Sequence, residues 1–257
     1  MKLNKSQLKK IDELGYVIIP GCFSNEEIKN LRDAMTLAFN EKNEANIVEK
    51  SSGVVRTAMG LHLRSKIFDD LTRHPNFFEP ACQIRGHNLY IQQTKINVKA
   101  AFTGEVWQWH YDFATHYGED GSPKPMALNL HVFLDDVTEF NGPLFFIPKS
   151  HKYASAPSKL DTVTTNYPLW VVDQQNVKAL VKENGIISAR GNAGTVVIFV
   201  DNLVHGSAHN MSPFDRAIFS AILNPCDNAQ TKFARPEYKH GRDFKPINPS
   251  SSKSLLI

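Results

Sequence analysis

The chain has 257 residues, 42% hydrophobic and 21% charged, a formal net charge of +3 and three isolated cysteines, Cys22, Cys82 and Cys226. At this length roughly 70–75% of the unfolded surface is buried on folding, so the fold needs no covalent staples. The mild charge without a basic aromatic stripe excludes nucleic acid as an expected partner, and no apolar run reaches membrane-spanning length. The odd, unpaired cysteines exclude a disulfide framework or zinc–thiolate site and point to a reducing, cytoplasmic setting.

In chain order, "SQLKKIDELG" predicts a short helix with Ser6 as N-cap and Gly15 as stop, and "YVIIPG" a strand. "SNEEIKNLRDAMTLAFNEKN" predicts a longer helix, with Ser24 as cap, Glu27 three residues on, and Ile28, Leu31 and Met35 at helical spacing. Residues 44–59 read as polar and irregular. "SKIFDDLTRHPNFFEPACQIRG" is helical but broken at Pro75 and Pro80. From Leu89 the pattern changes to alternation, in "LYIQQTKINVK" and "MALNLHVFLDDV". Asn141-Gly142 before "GPLFFIPKS" predicts a hairpin. One inserted helix follows Asp173 and ends at Gly185, and "GTVVIFVDN" and "RAIFSAILNP" complete the strands.

Helices first and then many short strands predict a mainly β fold with flanking helices, an antiparallel sandwich or jelly roll. With no internal repeat or low-complexity linker, residues 1–257 read as one domain. Its parts are a helical region (about 1–88), a jelly-roll core (about 89–225) and a polar tail (226–257) that acts as a flap or a loosely held terminus.

The chemistry concentrates in "WQWHYDFATHYGEDG". On a strand, His110 and Asp112 share a face and aim an imidazole and a carboxylate at one point. That supplies two members of a two-histidine, one-carboxylate iron triad; a hydrogen-bonded surface pair is the plainer alternative. His131, His151, His205 and His209 are candidates for the third. Of these His205 stands out, because it follows "GTVVIFVDN" directly and precedes the loop returning to Arg216. Arg216 is suited to a bidentate carboxylate or to an ordinary salt bridge.

"WHYDF", "FNGPLFFIPKSH" and "VHGSAHNMSPFDRAIFSAILN", with the earlier "LGYVIIPGCFSNEEIKNLR", resemble the phytanoyl-CoA dioxygenase family of Fe(II)/2-oxoglutarate oxygenases. The likeness runs from about residue 8 to about 225 and is strongest to the ectoine hydroxylase and free L-proline 4-hydroxylase group. It implies a double-stranded β-helix (jelly roll, cupin-like) and a dioxygenase using Fe(II), 2-oxoglutarate and O2. It implies His110, Asp112 and His205 as catalytic iron ligands and Arg216 as anchor of the distal 2-oxoglutarate carboxylate. Ser207 would donate to that carboxylate and Gln93 contact the co-substrate, with Asn97 on the same strand face. Retention of Asp112 favours hydroxylation over halogenation.

The expected substrate is a small molecule, most of all a free L-amino acid resembling proline or pipecolate. Arg56 and Lys95 are candidate carboxylate partners, and residues 44–59 a candidate lid. Trp107, Trp109, Phe113, His116 and Tyr117 are candidate walls, with His116 standing where ectoine hydroxylases carry tryptophan. Two alternatives stand beside this one: a tailoring oxygenase for a natural-product scaffold or acyl thioester, and a non-catalytic jelly-roll binding protein. The chain is expected to be a monomer or homodimer with no membrane partner.

Overall fold

Helix α1 begins two residues earlier than the sequence suggests. In the computed structural model, which describes all residues except 51, 154–157, 165–167, 251–253 and 256–257, it spans Lys5–Leu14 with Asn4 as its N-cap. The Asn4 side chain accepts from the Gln7 amide while Gln7 reaches back to the Asn4 amide. Ser6, already inside the helix, cannot make that reciprocal pair. Gly15 stops the helix in left-handed backbone (φ 88°), as expected. β1 (Tyr16–Ile19) follows, and α2 (Asn25–Asn40) opens on the expected Ser24–Glu27 box and buries Ile28 and Leu31.

Residues 44–59 hold no irregular lid among the described positions. They pair as β2 (Asn46–Val48) and β3 (Val55–Met59), and β3 adds antiparallel to β4 (Leu89–Lys99). Between them lie the one-turn α3 (Leu61–Arg64), α4 (Lys66–Arg73) and α5 (Pro75–Arg85). Pro75 occupies the first position of α5, where a missing N–H is harmless. Pro80 was expected to break the helix and does not. It is buried beside Phe77, Phe78 and Ala81, and the packing of that face outweighs the lost hydrogen bond.

The remaining elements are β5 (Trp107–His110), α6 (Asp112–Gly118), β6 (Leu128–Phe133), β7 (Leu144–Phe146), β8 (Ser158–Asp161), β9 (Leu169–Val172), α7 (Gln174–Asn184), β10 (Ile187–Ala189), β11 (Val196–Val200), β12 (His205–Ser207) and β13 (Arg216–Pro225). They form a seven-stranded sheet, β1-β11-β6-β13-β4-β3-β2, and a six-stranded sheet, β10-β7-β12-β5-β9-β8. All the strand pairs in them are antiparallel. From β4 to β7, and again from β11 to β13, the chain alternates between sheets, the winding of a jelly roll.

That winding overturns the hairpin expected at Asn141-Gly142. β6 pairs with β11 and β13, whereas β7 pairs with β10 and β12, so the segment crosses from one sheet to the other. Asn141 organises the crossing, accepting from the Thr138 amide and donating to the carbonyls of Asp136 and Asp215.

Helices α4 and α5 pack on the outer face of the large sheet. Phe219 of β13 stacks on Phe68 of α4 (centroids 5.3 Å) and on Phe77 of α5 (6.2 Å). Each such buried side chain contributes about 1.5–3 kcal/mol. Period-two alternation then sends Arg216 and Ile218 to the inner face, where they line a cavity. The tail is not loose as far as residue 250. β3 pairs with β4 from Lys95 to Asn97, and the tail covers part of the edge beyond. Gly241 donates to the Gln92 carbonyl (2.7 Å) and Ile247 to that of Leu89 (2.8 Å). No helix among the described residues is long and apolar enough to cross a membrane.

Candidate active site

β12 and β5 are neighbours in the small sheet, with His205 directly opposite His110. Their rings lie 4.2 Å apart between centroids. Each imidazole is oriented from behind: Nδ1 of His110 donates to the Gln108 carbonyl (2.6 Å) and Nδ1 of His205 to that of Leu203 (2.9 Å). With Nδ1 protonated, Nε2 carries the lone pair, the arrangement that suits a metal ligand. Asp112 Oδ1 is 3.7 Å from His110 Nε2, and one ligand atom from each of the three residues lies within 4.8 Å of the others.

The strand argument for this convergence was wrong in one respect. β5 ends at His110, and Asp112 is the first residue of α6. Strand alternation therefore does not align the pair; the turn into the helix does. Burial alone would raise the Asp112 carboxyl, but His205, Lys95, His110 and His116 together hold it well below the usual range. Burial pushes His110 down to about 3, with His205 adding to the effect, and lowers His205. Two neutral imidazoles beside one anion are a donor set that fits a divalent iron.

Arg216 opens β13 opposite Lys99 and is 1% exposed. Lys99 spends its ammonium on the carbonyls of Glu105 and Ala208. The Nε and Nη2 of Arg216, by contrast, have no hydrogen-bond partner among the described residues. Burial and the neighbouring Arg56 lower its pKa to about 9, which leaves it charged at neutral pH. A buried guanidinium without a partner is costly, and a carboxylate ligand removes that cost. Arg216, Gln93, Asn97 and the histidine–aspartate trio line one cavity of about 280 Å³. Gln93 donates to the Lys239 carbonyl (2.6 Å) and Asn97 accepts from the Thr57 hydroxyl (2.8 Å). Ser207 is not among the lining residues; it sits opposite Trp107 and Leu144, which are, and its buried hydroxyl finds no partner among the described residues.

The substrate candidates divide. Lys95, Trp107 and His116 line the cavity. Arg56 does not. Its guanidinium pairs with Glu105 (3.1 Å), donates to the Val106 carbonyl (2.8 Å) and lies 3.8 Å over the Trp107 ring, supporting the wall from behind. Trp109 packs on Phe145, Phe113 on Tyr117, and Tyr117 is 62% exposed, so these three are not among the lining residues. His151 contacts the Asp12 carbonyl instead of the cavity rim, and His209 is exposed.

Several lining residues escaped the sequence reading: Asn129, Thr115, Glu119, Arg235 and Lys239. Asn129 had a usable signal, since it and His131 are polar positions on a strand that is buried throughout. Arg235 and Lys239 had none, because the tail has no periodicity to say where it docks. Arg235 is held by a bidentate pair with Asp120, which His240 also contacts at 2.8 Å.

The buried histidines give a pH dependence. Burial holds His62 down at about 4 and His131 well below the ordinary value, alongside His110. Such groups take up protons on unfolding, so their contribution is present above about pH 6.5 and is lost as pH falls from there toward the folded values. The midpoint of urea unfolding of the metal-free protein is expected to drop between pH 7.5 and pH 5; an unchanged midpoint would contradict it.

Residues 11–218 match the family described as phytanoyl-CoA dioxygenase (PhyH). An ectoine dioxygenase of Nocardia farcinica is 32% identical over 96% of this chain and 88% of its own. An L-proline trans-4-hydroxylase of Streptomyces griseoviridis is 30% identical over 94% of each chain. Among solved structures, EctD from S. alaskensis with bound Fe superposes with a TM-score of 0.85 at 28% identity, covering 96% of this chain and 87% of that one. A crystal structure of the same protein with 2-oxoglutarate and 5-hydroxyectoine gives 0.83 at 27% identity, covering 98% and 87%.

Proposed function

The chain belongs to the phytanoyl-CoA dioxygenase family, and from that premise we propose that it hydroxylates a C–H bond of a free L-amino acid, proline- or pipecolate-like. It is a 2-oxoglutarate-dependent dioxygenase that uses Fe(II), 2-oxoglutarate and O2 on a small molecule. The observation that carries the assignment of its parts is the coincidence in one cavity of the His110–Asp112–His205 cluster and of Arg216, whose Nε and Nη2 have no hydrogen-bond partner among the described residues.

In this reading His110, Asp112 and His205 would hold the iron. Bound there, the metal with its co-substrate supplies the oxidising power that turns a C–H bond into an alcohol, with succinate and carbon dioxide as by-products. The chain's own work is placement. Arg216 takes the distal carboxylate of 2-oxoglutarate, with the Ser207 hydroxyl beside it. Gln93 and Asn97 add amide contacts along the same strand face. Trp107, backed by Arg56, walls the cavity and excludes water. Lys95, on the same face of β4, offers an ammonium to the substrate carboxylate. The charged groups that line the cavity, Lys95, Glu119, Arg235 and Lys239, favour a small zwitterion over an acyl thioester.

Succinate release across free L-amino acids, ectoine and small peptides tests the substrate. A free cyclic amino acid is expected to stimulate turnover most. Stimulation confined to a carrier-bound or polycyclic compound would make the chain a tailoring oxygenase instead.

A further inference from the structure

Asp201 is the first residue after β11 and is 1% exposed. Its carbonyl accepts from the Phe113 amide (2.9 Å) in the first turn of α6, and its amide donates to the Ala127 carbonyl (3.3 Å). The carboxylate is thereby fixed beside α6, with Oδ2 3.5 Å from Nδ1 of His116. Burial raises the Asp201 carboxyl, while His116 and then Arg85 draw it back. The His116 ring, 4% exposed, also meets His240 edge to face at 6.0 Å. It is therefore held on two sides while it lines the cavity.

A neutral imidazole that turns its Nδ1–H toward a carboxylate carries its lone pair on Nε2. Thr115, His116 and Glu119 reach the cavity from one helical face of α6 and its cap, at the spacing of neighbouring turns. Glu119 accepts from the Trp170 indole through one carboxylate oxygen (3.2 Å). This side of the cavity is rich in acceptors. The cations Lys95, Arg235 and Lys239 enter from β4 and the tail, and the charge of Arg235 is met by Asp120.

We propose that Asp201 is a positioning residue: it fixes His116 so that Nε2 accepts a hydrogen bond from the ammonium group of the substrate, with Glu119 as the neighbouring counter-charge. The proposal rests on the free amino-acid reading above and specifies it: the amine end lies against α6 and the carboxylate end against Lys95. An N-acylated or peptide-linked amine has lost the charge this wall is built for.

The test uses the iron- and 2-oxoglutarate-loaded full chain and the free L-amino acid that the wild type turns over best. Asp201→Asn, which takes away the negative charge that faces Nδ1, is expected to raise KM for that amino acid about tenfold or more with little change in kcat. His116→Leu is expected to do the same, and His116→Gln, whose Oε1 stands near the place of Nε2, to recover much of the loss. The N-acetyl derivative should be a poor substrate of the wild type. Values of KM within about twofold of wild type in Asp201→Asn and His116→Leu would overturn the proposal while leaving the amino-acid reading intact. Should Asp201→Asn fail to fold, the His116→Leu and His116→Gln pair decides the question. A wild type that accepts no free amino acid overturns both.

Discussion

Replacing His205 by alanine is expected to reduce 2-oxoglutarate turnover by a thousandfold or more, and Asp112→Ala to do likewise. Losing the metal removes several kcal/mol of transition-state stabilisation, and every 1.4 kcal/mol or so is a factor of about ten. The cross-strand pairing of His205 with His110 makes the loss hard to compensate, since each imidazole is locked by its own backbone carbonyl. His209→Ala, four residues further on and exposed, serves as the control and should retain wild-type turnover. Comparable losses in both histidine variants would place the damage in the β12–β13 loop rather than at a ligand.

The second large effect concerns Arg216. Arg216→Leu is expected to raise KM for 2-oxoglutarate by about 30- to 4,000-fold, the scale of removing one partner of a buried charge pair, roughly 2–5 kcal/mol. Arg216→Lys should recover only part, because an ammonium cannot reproduce the two-pronged contact of a guanidinium. The same leucine variant should melt no lower than wild type in the absence of ligands. In the free protein Arg216 is a buried cation whose Nε and Nη2 have no hydrogen-bond partner among the described residues, so its removal takes away a cost. A lower melting temperature with an unchanged KM would mean that Arg216 is structural.

Local chemistry was legible in the sequence wherever it acts over a few residues. The Ser24–Glu27 box, the Gly15 stop, and the strands β4, β6 and β13 all appear where the sequence places them, although β6 and β13 are buried on both faces and show no alternation of exposure. So does the fold class, which depends on counting short strands. What failed was long-range. Asn141-Gly142 has hairpin chemistry, yet the jelly-roll winding sends β7 to the other sheet. Arg56 looked like a substrate anchor because a lone arginine in a polar stretch carries no sign of its partners Glu105 and Trp107, some fifty residues away. Asp112 was placed at the right point for the wrong reason, by strand alternation instead of a helix start. The tail is the clearest omission, since Arg235 and Lys239 reach the cavity through contacts with Asp120 and Gln93 that no periodicity announces. His205 and Arg216 were readable because a strand, a loop and a returning strand bracket them.

The central claim is that one cavity holds iron through His110, Asp112 and His205 and seats 2-oxoglutarate against Arg216. Anaerobic titration of the protein with Fe(II) and 2-oxoglutarate tests it most directly, through the weak visible charge-transfer band of the chelated metal. The wild type should develop the band, Arg216→Leu should need far more 2-oxoglutarate to reach it, and His205→Ala should lack it. No band in the wild type, or an undiminished one in His205→Ala, would contradict the account.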